Sequence, residues 1–160
     1  GEPRIVEPKP EEDIEAGARN TRLSADAAIT WVYEYEMCRH RITKTTAAGD
    51  DLEGLTFSGL QQKYPEARIT AFGADDATLE LSFGCYCPNH YILRKDDDSL
   101  GLYRTVTGTD SQEKLREYRV NMRMLSEEEN DELTIGRVFA DREEVLAYVE
   151  KIRKRRNIEY

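Results

Sequence analysis

Nowhere in this chain is there an apolar run near the roughly eighteen residues that a membrane-spanning helix needs. An excess of positive charge is also missing. The formal net charge is −9 and the isoelectric point is near 4.9, which excludes nucleic acid as a partner, because binding it requires a basic surface that neutralises phosphates and releases counterions. There is no glycine-rich phosphate cradle, no nucleophile elbow and no pair of metal-binding histidines on one helix. Asp96, Asp98 and Gly101 resemble the start of a calcium loop. However, Leu100 stands at its fifth position and Thr107 at its twelfth, where the loop needs a bidentate glutamate. Without any of these patterns the chain is expected not to be an enzyme and to use no cofactor. A Cys87 and His90 couple could in principle make a thiolate nucleophile, but it would need an oxyanion-stabilising surround that the sequence does not show.

What is present reads as one domain. At 160 residues and 39% hydrophobic content the chain can bury one core of ordinary size. Residues 1–25 stand apart. Pro3, Pro8 and Pro10 lie among Glu2, Glu7, Glu11, Glu12, Asp13 and Glu15, and such a composition buries too little to offset the entropy of ordering. The expectation is a disordered acidic linker over 1–25, a folded domain over 26–155 and a short tail over 156–160. The chain starts at Gly1 rather than Met, as expected where an upstream signal peptide or membrane anchor has been removed. That places the domain outside the cytoplasm, secreted or tethered.

Within the domain, β-prone residues from Ala28 to Thr46 predict one long strand, or two joined at a bend. After Gly49, Asp50 and Asp51 break the chain, Thr56 is placed to cap a helix carrying Phe57, Leu60 and Tyr64 on one face and stopped by Pro65. Segments 68–73 and 78–83 flank Ala74, Asp75 and Asp76 as a hairpin, with Leu79, Leu81 and Phe83 facing the core. A second hairpin joins 90–95 to 101–106 across Asp96, Asp97, Asp98 and Ser99. Residues 111–119 fit a helix through Leu115 and Tyr118, or an edge strand through Tyr118, Val120 and Met122, and stay undecided. Ser126 and Glu129 form a capping box for a helix ending at Gly136, and Asp141 opens a longer one with Val145, Val149 and Ile152 as its buried stripe. The fold class is therefore α+β: a small antiparallel meander with about three helices packed on one side.

The run Lys151, Arg153, Lys154, Arg155 and Arg156 has two readings. Cations at a helix C-terminus meet its partial negative charge; alternatively, such a run is drawn to an anionic membrane, which fits a domain held near one. The helix-end reading is preferred.

All three cysteines and both histidines fall in Cys38, His40, Cys85, Cys87 and His90. One reading is a disulfide from Cys38 to Cys87 or Cys85, with Cys38–Cys87 preferred, whose closed loop of about fifty residues would stabilise by roughly 3–4 kcal/mol in the chain-entropy treatment. Cys85 and Cys87, one residue apart in extended chain, suit each other poorly. The alternative is a tetrahedral zinc held by Cys38, His40, Cys87 and His90 with Cys85 as a spare ligand, although Cys-x-His lacks the usual knuckle spacing. Buried thiols in neither arrangement are the third.

Tyr33-x-Tyr35-x-x-Cys38-x-His40, Gly54-Leu55-Thr56, Leu60, Tyr64-Pro65 and above all Cys87-Pro88-Asn89-His90-Tyr91-Ile92-Leu93 resemble the C-terminal domain of the bypass-of-forespore C family of spore-forming Firmicutes. The resemblance extends through 125–136 and the closing helix. It implies a secreted or membrane-tethered domain of one small sheet and three helices that regulates by protein contact, with a serine protease as partner. Its alternative is a metal-binding or redox-responsive domain centred on the five Cys and His residues.

Overall fold

The computed structural model describes Ile14 and residues 16–156, in two compact units, one ending at Phe83 and the other beginning at Gly84. The fold class is α+β. Each unit carries its own four-stranded sheet and its own apolar core, where the sequence led us to expect a single meander.

The first unit contains α1 (Ala16–Arg19), β1 (Ala28–Tyr35), β2 (His40–Ala47), α2 (Gly49–Leu52), α3 (Phe57–Lys63), β3 (Arg68–Phe72) and β4 (Asp76–Phe83). The strand order is β2-β1-β4-β3. β1 and β2 form the antiparallel hairpin expected across a bend, and β3 and β4 form the second. What joins them is a parallel pairing of β1 with β4. Its register sets Ile29 beside Ala77, Trp31 beside Leu79, Tyr33 beside Leu81 and Tyr35 beside Phe83. Side chains alternate faces along a strand, so this register puts Ile29, Trp31, Tyr33 and Tyr35 on the same face as Ala77, Leu79, Leu81 and Phe83, and a slip by one would scatter them. Tyr35 and Phe83 rings meet at 5.3 Å.

Ile29, Ile69, Ala77 and Leu79 are fully buried beneath Leu60 and Phe57 of α3. The Thr56 hydroxyl caps α3 as the sequence predicts, accepting from the Gly59 N–H at 3.2 Å. Gln61 closes the other end, its side-chain amide donating to the carbonyls of Tyr64 and Ala67. Thr56→Ala should cost about 1 kcal/mol, read as a shifted urea midpoint with an unchanged slope.

The acidic residues 1–13 lie outside the described residues. Order begins earlier than residue 25, because Ile14 and Leu23 are buried in the first core and 16–19 is a helical turn. Two apolar side chains spaced among polar ones were enough to anchor a segment whose composition reads as linker.

The second unit contains β5 (Tyr91–Asp96), β6 (Ser99–Thr105), β7 (Gln112–Tyr118), a 3-10 turn (Met122–Met124), α4 (Glu127–Ile135), β8 (Arg137–Phe139) and α5 (Arg142–Arg153). Its sheet, ordered β7-β6-β5-β8, is antiparallel throughout. Residues 112–118, undecided from sequence, are an edge strand. The three-residue β8 had no signal of its own.

One face of this sheet presents Leu93, Leu100, Leu102 and Phe139 to Leu133 of α4 and to Val145 and Val149 of α5. On the other face Gly101 makes room for the Tyr103 ring. A Cβ at residue 101 would lie 2.7 Å from that ring and 2.9 Å from the Asp96 carboxylate. The Arg94 guanidinium stacks 3.7 Å from the ring centroid, and the Tyr103 hydroxyl donates to Asp96 at 2.6 Å. The Lys114 ammonium, also 2.6 Å from Asp96, holds that carboxyl below its ordinary range, with the Tyr103 hydroxyl adding to the effect.

Ser126 and Glu129 form the expected capping box. The Glu129 carboxylate also receives both terminal nitrogens of Arg155, at 2.5 and 2.8 Å, so the start of α4 is tied to the end of α5. Arg153 donates to the carbonyl of Arg119, so two cations of the basic run serve tertiary contacts. The Arg155 guanidinium is the main reason the Glu129 carboxyl is held down to about 2, with the Ser126 hydrogen bonds adding to it. A carboxyl lowered in the folded state contributes stability above its ordinary pKa of 4.5, and that contribution is lost as pH falls from there towards 2. Glu129→Gln should therefore cost about 1–2 kcal/mol at neutral pH, at the low end for charged hydrogen bonds because solvent reaches the pair. The gap between variant and parent, read from urea melts across pH, should close by about pH 2.

Candidate metal centre

Two turns carry the cysteine and histidine motifs, each shaped by local chemistry. The first links β1 to β2, where Tyr35 and His40 are cross-strand partners and residues 36–39 make the loop. The Arg39 N–H donates to the Tyr35 carbonyl at 2.7 Å and the Glu36 N–H to the Phe83 carbonyl at 2.9 Å. The Cys38 thiol lies 3.8 Å from that same Tyr35 oxygen. Arg39 has φ +60, a left-handed conformation uncommon outside glycine. It lets the chain reverse between Cys38 and His40, so that a Cys-x-His pair is offered by a turn rather than by two positions of a straight strand. Cys38 is half-buried and His40 exposed.

The second turn is Cys87-Pro88-Asn89-His90. The His90 N–H donates to the Cys87 carbonyl at 3.1 Å, with proline second of the four residues, where its fixed φ is already that of the turn. Cys87 and His90 thus flank a β-turn, a geometry in which first and fourth residues come close. The turn is held from two sides: the buried Thr105 hydroxyl donates to the Tyr86 carbonyl at 2.7 Å, and the Tyr86 and His90 rings meet at 5.4 Å. Cys87 is fully buried.

Cys38 and His40 belong to the first unit and Cys87 and His90 to the second, so each unit offers one sulfur and one imidazole from a single turn. Thiolate sulfur and imidazole nitrogen are the donors that suit zinc, whereas calcium and magnesium take oxygen ligands.

The structure records no disulfide at Cys38, Cys85 or Cys87. Cys85, considered as a spare ligand, is half-buried. Sequence reasoning missed Thr105 and Tyr86, which position the second turn. Neither carried a signal, since Thr105 lies 19 residues from its acceptor.

The Asp96–Ser99 segment is a hairpin turn with Asp97 at φ +59, as its failure to match a calcium loop implied. No helix among the described residues is long and apolar enough to cross a membrane. No protein-family model and no curated protein matches the chain.

Proposed function

We propose that this chain is a non-enzymatic zinc-binding module whose ligands come from two turns, Cys38 with His40 and Cys87 with His90. The observation that carries the reading is the Cys87-Pro88-Asn89-His90 turn, closed by the His90 N–H on the Cys87 carbonyl at 3.1 Å, which offers a sulfur and an imidazole from its first and fourth residues. Such a pair is half of the ligand set of a structural zinc site. Protein purified without chelator and analysed by metal mass spectrometry is expected to contain zinc. A metal-free preparation that also takes up no added zinc would sink the reading.

Regulation by protein contact outside the cytoplasm, with a serine protease as the partner class, is the wider role we propose on the strength of the resemblance to the bypass-of-forespore C domains. A structural zinc ion is compatible with it, because such an ion shapes a surface without doing chemistry. Affinity capture should retrieve a defined, growth-stage-dependent partner, and its failure to do so would remove this role while leaving the zinc site intact.

A further inference from the structure

We propose that the first unit binds the free C-terminus of a peptide whose last residue is apolar, in the cavity formed by α3 and the loop leading into β3. The cavity measures about 650 Å³, within the range of sites that hold small ligands, and every residue that lines it belongs to the first unit. Its lining is graded. Phe57 and Ala67 are buried and supply an apolar floor, while Ser58, Gln62 and Pro65 are exposed along its rim. Such a floor suits an apolar side chain that enters from solvent.

Charge selects the end of the ligand. Among the described residues that line the cavity, Arg68 alone is charged, on a chain whose net charge is −9. A second guanidinium reaches the floor: Arg19 lies 5.4 Å from the centroid of the Phe57 ring, and its Nε is buried with no hydrogen-bond acceptor among the described residues. A buried donor without an acceptor is costly, and guanidinium is the group that receives a carboxylate on two parallel N–H donors. The polar lining then decides between kinds of carboxylate. The Gln61 side-chain nitrogen donates to the Tyr64 and Ala67 carbonyls, so its oxygen is left to accept, and the Ser58 hydroxyl and Gln62 amide both donate and accept. These groups match the N–H and C=O of a peptide. A plain alkyl carboxylate would cover them without replacing their hydrogen bonds to water, which is unfavourable.

The test uses the full chain, isotope-labelled for NMR and titrated in turn with N-acetylated Gly-Ser-Gly-Leu, with the same peptide amidated at its C-terminus, and with octanoate. The carboxylate peptide is expected to shift the amide signals of Ser58, Gln61 and Ala67. The amidated peptide should bind about tenfold more weakly or worse, since a hydrogen-bonded charge is lost, and Arg19→Gln should remove most of that preference. Gln62→Glu, at an exposed position, should weaken the carboxylate peptide and leave the amidated one unchanged, which tests the charge without touching a buried residue. No shift at these amides, equal binding of the two peptides, or octanoate binding as tightly as the carboxylate peptide would each overturn the proposal.

Discussion

Replacing Cys87 by Ala is expected to weaken zinc binding by about 100-fold. Structural zinc sites bind with about 10–16 kcal/mol near neutral pH; shared among the four ligands of a tetrahedral ion, that is roughly 3 kcal/mol for one, and each 1.4 kcal/mol is tenfold. The loss should be large because Cys87 is fully buried beside a turn already fixed by Thr105 and Tyr86. Competition with a chromogenic chelator measures it. The parent should also melt higher with zinc than after chelation, since a ligand that binds only the folded chain stabilises it by mass action, and in Cys87→Ala that difference should shrink. Equal zinc affinity in parent and Cys87→Ala would remove the sulfur from the site.

Gly101→Ala is expected to destabilise the second unit by about 2–3 kcal/mol, in the upper part of the range for overpacking. A methyl group there would sit 2.7 Å from the Tyr103 ring and 2.9 Å from Asp96, distances that force something to move. The ring cannot swing away cheaply, because Arg94 stacks on it and its hydroxyl is committed to Asp96. The cause can be isolated by a double-mutant cycle. In a Tyr103→Ala background the same substitution should cost well under 1 kcal/mol, since the obstructing ring is gone. Additive losses in the double variant would mean that the strain lies in the backbone instead.

Much of the local structure was legible from sequence because its causes are local. Thr56, the Ser126 and Glu129 box, Asp141 and the Val145, Val149, Ile152 stripe each depend on neighbours within a turn or two, and each is found where expected. The two hairpins with acidic turns follow the same logic. The division into two sheets was not legible, because the parallel contact between β1 and β4 joins residues 48 apart at every pair, as with Ile29 and Ala77, and nothing in either strand names its partner. Residues 112–118 alternate weakly with one buried residue, Tyr118, which is why helix and strand fitted equally. For the Cys and His motifs, the residues were visible but not the geometry of their turns. Cys-x-His looked poorly spaced only on the assumption of a straight strand, and Arg39 in the left-handed region removes that assumption.

The parallel β1–β4 pairing also sets an order of events in folding. Hairpins such as β1–β2 and β5–β6 close between near neighbours and form in about 1–10 μs. The inner edge of β1 must wait for a partner that follows the whole of β2, α2, α3 and β3, and pairing at such separations is intrinsically slow. On the ribosome, where chains grow by about 5–20 residues per second, that edge, with Trp31, Tyr33 and Tyr35 alongside it, therefore spends seconds without its neighbour. The second unit shares the delay, since one edge of β5 waits for β8, with Tyr91 opposite Phe139; the first differs in the aromatic side chains that line its waiting edge, which make it the unit whose nascent form most calls for chaperone cover.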